Sequence, residues 1–255
     1  MLQLDNFDNS SDHTGLIKEF SNQASAGIQG KHTISTQISE MVSEVVALLS
    51  AHRYIEAEYR LYSAFDNFSH EQFLLEILLP IEIQIGDLWH RNTVNVFTEH
   101  AATAFLRQQL DKLLASLLVP LDAPLVLCAC GPGEFHELGM LSLVYFLRSA
   151  KLNALYLGAN LPAGDLMIAI ETLKPAAVCL AATISSTALK LIYMLYQLSE
   201  KKREEPLVIG YGGRFFNFLP ETQRAMLPGL YLGEDAKIGS KVILDNLGLQ
   251  AKKQV

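Results

Sequence analysis

The sequence predicts an all-α cap, a four-helix bundle, followed by an α/β domain. The second part is a flavodoxin-like (Rossmann-like) doubly wound sheet of five parallel strands. Three observations carry this expectation. Up to about residue 117, apolar residues recur at helical spacing. From Pro120 onward, short apolar runs alternate with amphipathic ones, the βαβ order that builds a parallel sheet. Those apolar runs are nearly continuous, as strands covered on both faces must be.

Residues 1–32 are rich in Asn, Ser, Gln, Gly and Asp, and read as a flexible N-terminal arm. The cap is expected over 33–119. Its first helix, "TISTQISEMVSEVVALLSAH", has apolar residues at 34, 38, 41, 45, 48 and 49, which share one face. "RYIEAEYRLYSAFDNF" repeats the pattern. "HEQFLLEILLPIEIQIGDLWHRN" opens after a capping Ser69, and Pro80 should kink it. "VFTEHAATAFLRQQLDKLLASLL" is the fourth, and short connections suggest a bundle. The Rossmann-like domain is expected over 120–250. Its strands are "APLVLCAC", "NALYLG", "AAVCLAAT", "PLVIGYGG" and "GLYLGE". Its helices are "ELGMLSLVYFLRSAK", "PAGDLMIAIETLK", "STALKLIYMLYQLSEK", "FNFLPETQRAML" and "DAKIGSKVILDNLG".

Composition narrows the function classes. With 50% hydrophobic and 18% charged residues, the 255-residue chain reads as globular. Mean hydropathy is high at +0.21, yet Pro120, Asp122 and Pro124 interrupt the most apolar stretch. No run approaches the ~20 residues of a spanning helix. "MLQLDNFDNSSDHTG" lacks the basic start and apolar core of a signal peptide, so a cytoplasmic protein without a membrane association is expected. Cys128, Cys130 and Cys179 sit in strand-like runs and suit buried, reduced thiols. The net charge of −7 offers no basic stripe for phosphates, and the one basic cluster, "KKREE", is offset by its own glutamates.

In a sheet of order 2-1-3-4-5, ligands bind beyond the strand ends between the first and third strands. The loop after the first strand is "GPGEFHE"; the loop after the third offers Thr183, Ser185, Ser186 and Thr187. The fourth strand ends in Gly212 and Gly213, which would let a ligand approach the backbone. A dinucleotide fingerprint would need a glycine at 136, where His136 stands instead. At such a strand-to-helix turn a histidine serves as a metal ligand, a general base or a capped surface residue. As a ligand it would offer one ring nitrogen to a metal while Glu134 accepted a hydrogen bond from the other. Gly139 would leave room over the first helical turn.

"EFHELG" resembles the D/E-x-H-x-x-G signature of cobalamin-binding Rossmann-like domains. That resemblance implies that His136 is the lower cobalt ligand in place of the cofactor's own base. It also implies that Ser185, Ser186, Gly212 and Gly213 line the channel of the displaced nucleotide tail. The serine loop is the looser match. A second motif, "WHRNTVNVFTEH", is similar to the W-x9-E-H cap signature of CarH- and LitR-type cobalamin photoreceptors, and of stand-alone AerR- and PpaA-like regulators. Its spacing places Trp89 at the end of one helix and Glu99 and His100 at the start of the next. Together the motifs cover roughly residues 35–250. The resemblance implies that Trp89, Glu99 and His100 surround the adenosyl group of adenosylcobalamin. It further implies that His90 becomes the upper cobalt ligand once light has broken the cobalt–carbon bond.

CarH and LitR begin with a winged-helix DNA-binding domain, and this sequence has only the polar arm at 1–32 in that place. Direct DNA binding is therefore not expected. The expected protein is a sensor, not an enzyme, acting through a protein partner such as a transcription factor, by a changed partner surface or homo-oligomer. The alternative from another class is the corrinoid methyl carrier of a methyltransferase, which pairs a helical bundle with the same histidine motif. Methyl carriers do not need the tryptophan or a second histidine ligand. A protein of this fold that binds haem through the same histidines is a third reading.

Overall fold

The computed structural model describes residues 35–202 and 206–249. The arm expected at 1–32 and part of the "KKREE" cluster lie outside the described residues. The chain divides into two compact units between Thr103 and Ala104, and each is described by itself.

The first unit is helical. Helix α1 (35–50) buries Ile38, Met41, Val42, Val45, Val46 and Leu49. The buried stripe is turned slightly from the expected face, taking Val42 and Val46 where Leu48 stays half-buried. His52 then adopts a left-handed conformation (φ 60°), and the Arg53 N–H donates to the Leu48 carbonyl at 2.9 Å, which closes the helix end. Helix α2 (Tyr54–Asn67) buries Ala57, Leu61 and Ala64. Ser69 caps α3 (His70–Gln72) as expected, in a reciprocal capping box with Gln72.

The expected kink at Pro80 is answered by a wider turn. After α3 the chain runs through a π-helical segment, Phe73–Leu78, into α4 (Leu79–His90), which has the proline in its first turn. The Leu79 N–H bonds to the Leu74 carbonyl, five residues back. The ladder has thus left α register where the proline's missing donor falls. Helix α4 ends in another left-handed residue, Asn92 (φ 56°), with the Thr93 N–H on the Leu88 carbonyl at 2.8 Å. The Asn95 side chain caps the next helix, accepting from the Thr98 N–H at 3.0 Å and its hydroxyl at 2.9 Å. That helix, α5 (Val96–Ala115), runs across the division.

The second unit holds β1 (Leu125–Cys130), β2 (Asn153–Tyr156), β3 (Ala177–Ala181), β4 (Val208–Gly212) and β5 (Leu230–Tyr231). All are parallel, in the order β2-β1-β3-β4-β5, so the order reverses between β1 and β3 as expected. Helices α6 (Leu138–Ser149), α7 (Ala163–Leu173), α8 (Ser185–Glu200) and α11 (Ala236–Asn246) alternate with the strands. Leu166 and Ile170 of α7 and Leu191, Met194, Leu195 and Leu198 of α8 form one core with Val178 and Leu180 of β3. Each such buried aliphatic side chain contributes roughly 1.5–3 kcal/mol. Helix α6 is buried along most of its length and packs against α11.

One helix is corrected. "FNFLPETQRAML" forms two single turns, α9 (Arg214–Asn217) and α10 (Glu221–Arg224). Pro220 lacks an N–H and holds the extended N-cap position of α10 (ψ 145°), so one helix cannot run through it. The three cysteines are free and buried, and Cys128 and Cys179 are direct cross-strand neighbours. The Cys179 hydrogen bond and burial push the Cys128 thiol up, and burial pushes Cys130 to about 12, so both stay protonated at neutral pH. Among the described residues, no helix is long and apolar enough to cross a membrane.

Candidate functional site

The turn between β1 and α6 lies at the switch point. Gly133 has a left-handed backbone (φ 80°), and its N–H donates to the Asn160 side chain at 2.7 Å, which ties the turn to the loop after β2. The Glu134 carboxylate is completely buried and anchors the rest. One of its oxygens accepts the backbone N–H groups of Phe135 at 3.0 Å and His136 at 2.9 Å, and bonds His136 Nδ1. The other accepts the Thr187 hydroxyl at 2.7 Å and the Thr183 N–H at 2.5 Å. Burial alone would raise the carboxyl's pKa. The bonds from His136, Thr183 and Thr187 outweigh it and hold the pKa at about 2, so the group is ionised.

This geometry fixes the imidazole. A carboxylate can only accept, so His136 Nδ1 carries the proton, and in the neutral imidazole the lone pair is then on Nε2. The His136 side chain is 57% exposed, while its carboxylate partner is buried. A neutral, oriented imidazole backed by a carboxylate is the donor that a metal ion takes from a histidine. One imidazole is a single donor, so a metal held there brings its remaining ligands with it, as a corrinoid cobalt does. At Gly139 a Cβ would meet nothing within 4 Å, so there is open space over the first turn of α6. The residues present therefore fit a corrinoid's lower side.

The other expected positions fall less uniformly. Ser185 and Ser186 are exposed in the first turn of α8, and the hydroxyl that reaches Glu134 belongs to the buried Thr187. Gly212 is buried, and a Cβ there would sit 3.6 Å from Leu232. Gly213 has φ 106°, and a Cβ would lie 2.3 Å from the Ala182 carbonyl oxygen. Glycine at 213 is thus required by backbone packing against the end of β3, whatever binds there. The sequence pattern carries no signal for exposed Phe135, beside His136, or for Asn160, which holds the turn through Gly133. Thr187 is one of the four hydroxyl candidates of the loop after β3, and the structure shows that it is the one turned toward Glu134.

In the first unit, Trp89 is 42% exposed at the end of α4 and meets the His90 ring edge-on, with centroids 4.8 Å apart. His90 Nδ1 lies 2.8 Å from the Gly86 carbonyl oxygen. That acceptor also assigns the proton to Nδ1 and the lone pair to Nε2. Glu99 stands in the first turn of α5, bonds His100 Nδ1 through one oxygen and accepts from the Thr103 hydroxyl at 3.1 Å through the other.

Helices followed by a doubly wound parallel sheet, with a carboxylate-held histidine at the switch point, define a protein with a helical region and a Rossmann-like α/β domain. Residues 42–114, the stretch that contains Trp89, His90, Glu99 and His100, match the profile of the B12 binding domain family. The chain is 34% identical over 113 residues to the HTH-type transcriptional repressor CarH of Myxococcus xanthus, covering 44% of this chain and 38% of that protein. It is 33% identical over 104 residues to the HTH-type transcriptional repressor CarA of the same organism, covering 41% and 34%. The chain therefore spans less than two fifths of either relative. The structure of the monomethylamine corrinoid protein of Methanosarcina barkeri superposes with a TM-score of 0.67, over 82% of this chain and 99% of that one. At 13% identity, that likeness shows the fold. The family match supports a cobalamin-binding domain.

Proposed function

We propose that this chain is a cytoplasmic adenosylcobalamin-binding light sensor that regulates transcription through a protein partner. Its working parts are a helical cap at 33–119 and a cobalamin-binding domain at 120–250. The observation that carries the reading is the Glu134–His136 pair at the switch point, in a chain whose helical stretch matches the B12 binding domain family. When bound, adenosylcobalamin supplies a cobalt–carbon bond that light can break. His136 Nε2 would hold the metal, and Glu134 would fix the tautomer and orientation of the imidazole. Ser185, Ser186, Gly212 and Gly213 serve the nucleotide tail, and Gly139 leaves room for the cofactor over the first turn of α6. Trp89, Glu99 and His100 serve the upper ligand, and His90 is the upper cobalt ligand after photolysis.

The similarity to two transcriptional repressors supports the regulatory role. A ligand lost from one state of a two-state protein shifts the population and changes a partner surface or a homo-oligomer. Because a ligating imidazole must be neutral, the hold of His136 weakens at acid pH.

The test is reconstitution with adenosylcobalamin in darkness, with absorption and elution volume recorded before and after green light. The expected result is a light-dependent change in both. A light-stable spectrum, or no uptake, overturns the reading. Methyl transfer from bound methylcobalamin to a thiol would establish the methyl carrier instead.

A further inference from the structure

His136 is flanked by two carboxylates, and only Glu134 has a place in the cobalamin motif. The second, Glu137, is fastened as firmly. One of its oxygens takes the Tyr156 hydroxyl at 2.8 Å, from the end of β2. The other takes the guanidinium of Arg107, from α5. The Glu137 side chain is only 17% exposed, so this ion pair is partly shielded from solvent. Cys130 adds a third hold: its thiol donates to the His136 carbonyl at 3.6 Å and lies 3.6 Å from the Tyr156 hydroxyl. Glu134 thus ties the turn to β3 and α8, and Glu137 ties the next residue to β2 and α5. An imidazole that must meet a metal along one direction needs its backbone fixed on both sides.

We propose that Arg107 and Glu137 are positioning residues for His136: their ion pair anchors the segment that carries the imidazole to α5 and sets its direction. As a role toward cobalt this rests on the cobalamin reading. Arg107 also reaches Asp111, one turn along α5, at 3.9 Å, but that exposed contact cannot replace a shielded carboxylate.

The test uses the full chain with Arg107→Gln, Arg107→Lys and Glu137→Gln. In cofactor-free protein, amide hydrogen exchange over residues 131–137 is expected to rise about tenfold in Arg107→Gln. Amides of β3 and α11 should be unchanged, which separates a local brace from lost global stability. Arg107→Lys should restore part of the protection. In protein loaded with cob(II)alamin, electron paramagnetic resonance with 15N-histidine reads the splitting from an axial nitrogen. Arg107→Gln and Glu137→Gln should each reduce the population with that splitting. Unchanged exchange in Arg107→Gln, or wild-type nitrogen splitting in both variants, overturns the proposal. If the unaltered protein takes up no cobalamin, the cobalamin reading and the role toward cobalt fall together. The exchange measurement then decides the brace alone.

Discussion

Glu134 shows how much one buried charge can organise. The sequence pattern suggested a hydrogen bond to His136, and the structure contains it, together with four further donors from two backbone N–H groups of the turn, Thr183 and Thr187. Those partners hold the carboxyl pKa at about 2, below its ordinary value of 4.5. A depressed folded-state pKa contributes stability above the unfolded value, and that stability is lost as pH falls from about 4.5 toward 2. Urea unfolding at neutral pH and near pH 3 should therefore show a loss on the order of 1–3 kcal/mol that is absent in Glu134→Gln. Thr187→Val keeps the side-chain volume and removes one donor, and should destabilise the protein by about 1–3 kcal/mol at neutral pH. Thr187 was named among four candidate hydroxyls, but one-dimensional spacing could not say which of them a helix start would turn inward. Asn160 was invisible for a similar reason, since its bond to Gly133 spans 27 residues and depends on β1 lying beside β2.

Helices and strands were more legible than the turns that aim them. Near-continuous apolar runs marked β1 and β3, and helical periodicity marked α1, because burial imposes these patterns locally. Pro80 inside a helical pattern predicts a kink, and its outcome, a π-helical turn, depends on how neighbouring carbonyls are shared. Pro220 divides an amphipathic run into two separate turns, because periodicity alone does not register the missing N–H. The nine-residue gap between Trp89 and Glu99 has a clear local cause: a left-handed Asn92 ends α4, and Asn95 caps α5. Asn95→Ala should lower stability by about 1 kcal/mol in thermal unfolding, with Asn95→Asp close to the native protein. The glycines separate packing from ligand clearance. Gly213→Ala drives a Cβ against the Ala182 carbonyl in a left-handed backbone, and should destabilise the protein by roughly 2–4 kcal/mol. Gly139→Ala enters open space early in α6 and should leave thermal stability unchanged, or raise it by up to about 1 kcal/mol. If Gly139 clears a corrinoid, the same alanine should nevertheless weaken cobalamin uptake.

The two units carry the same device, one in the turn before α6 and the other at the end of α4. His136 and His90 each face an acceptor with Nδ1, a carboxylate in one case and a carbonyl in the other, so in the neutral form each ring has its lone pair on Nε2. The strength of the hold differs. His136 leans on a buried, ionised carboxylate, whereas His90 has one backbone carbonyl at an exposed helix end. A carboxylate partner raises the basicity of an imidazole ligand more than a neutral carbonyl does, so the stronger permanent ligand is expected at His136. A residue that takes the metal in only one of two states is better held loosely, because its contribution is the difference between the states. In the proposed light sensor this assigns His136 to both states and His90 to the illuminated one. His136→Ala should lose the nitrogen-ligated spectrum in darkness. His90→Ala should bind adenosylcobalamin in darkness with unchanged affinity and spectrum. Removing the Gly86 contact from an exposed site should alter stability by no more than about 0.5 kcal/mol. After green light, its absorption should differ from that of the illuminated unaltered protein and shift toward water-ligated cobalt. Added imidazole should then restore the unaltered spectrum, since it supplies in free form the nitrogen that the substitution removed. An illuminated His90→Ala spectrum identical to that of the unaltered protein would remove His90 from the switch.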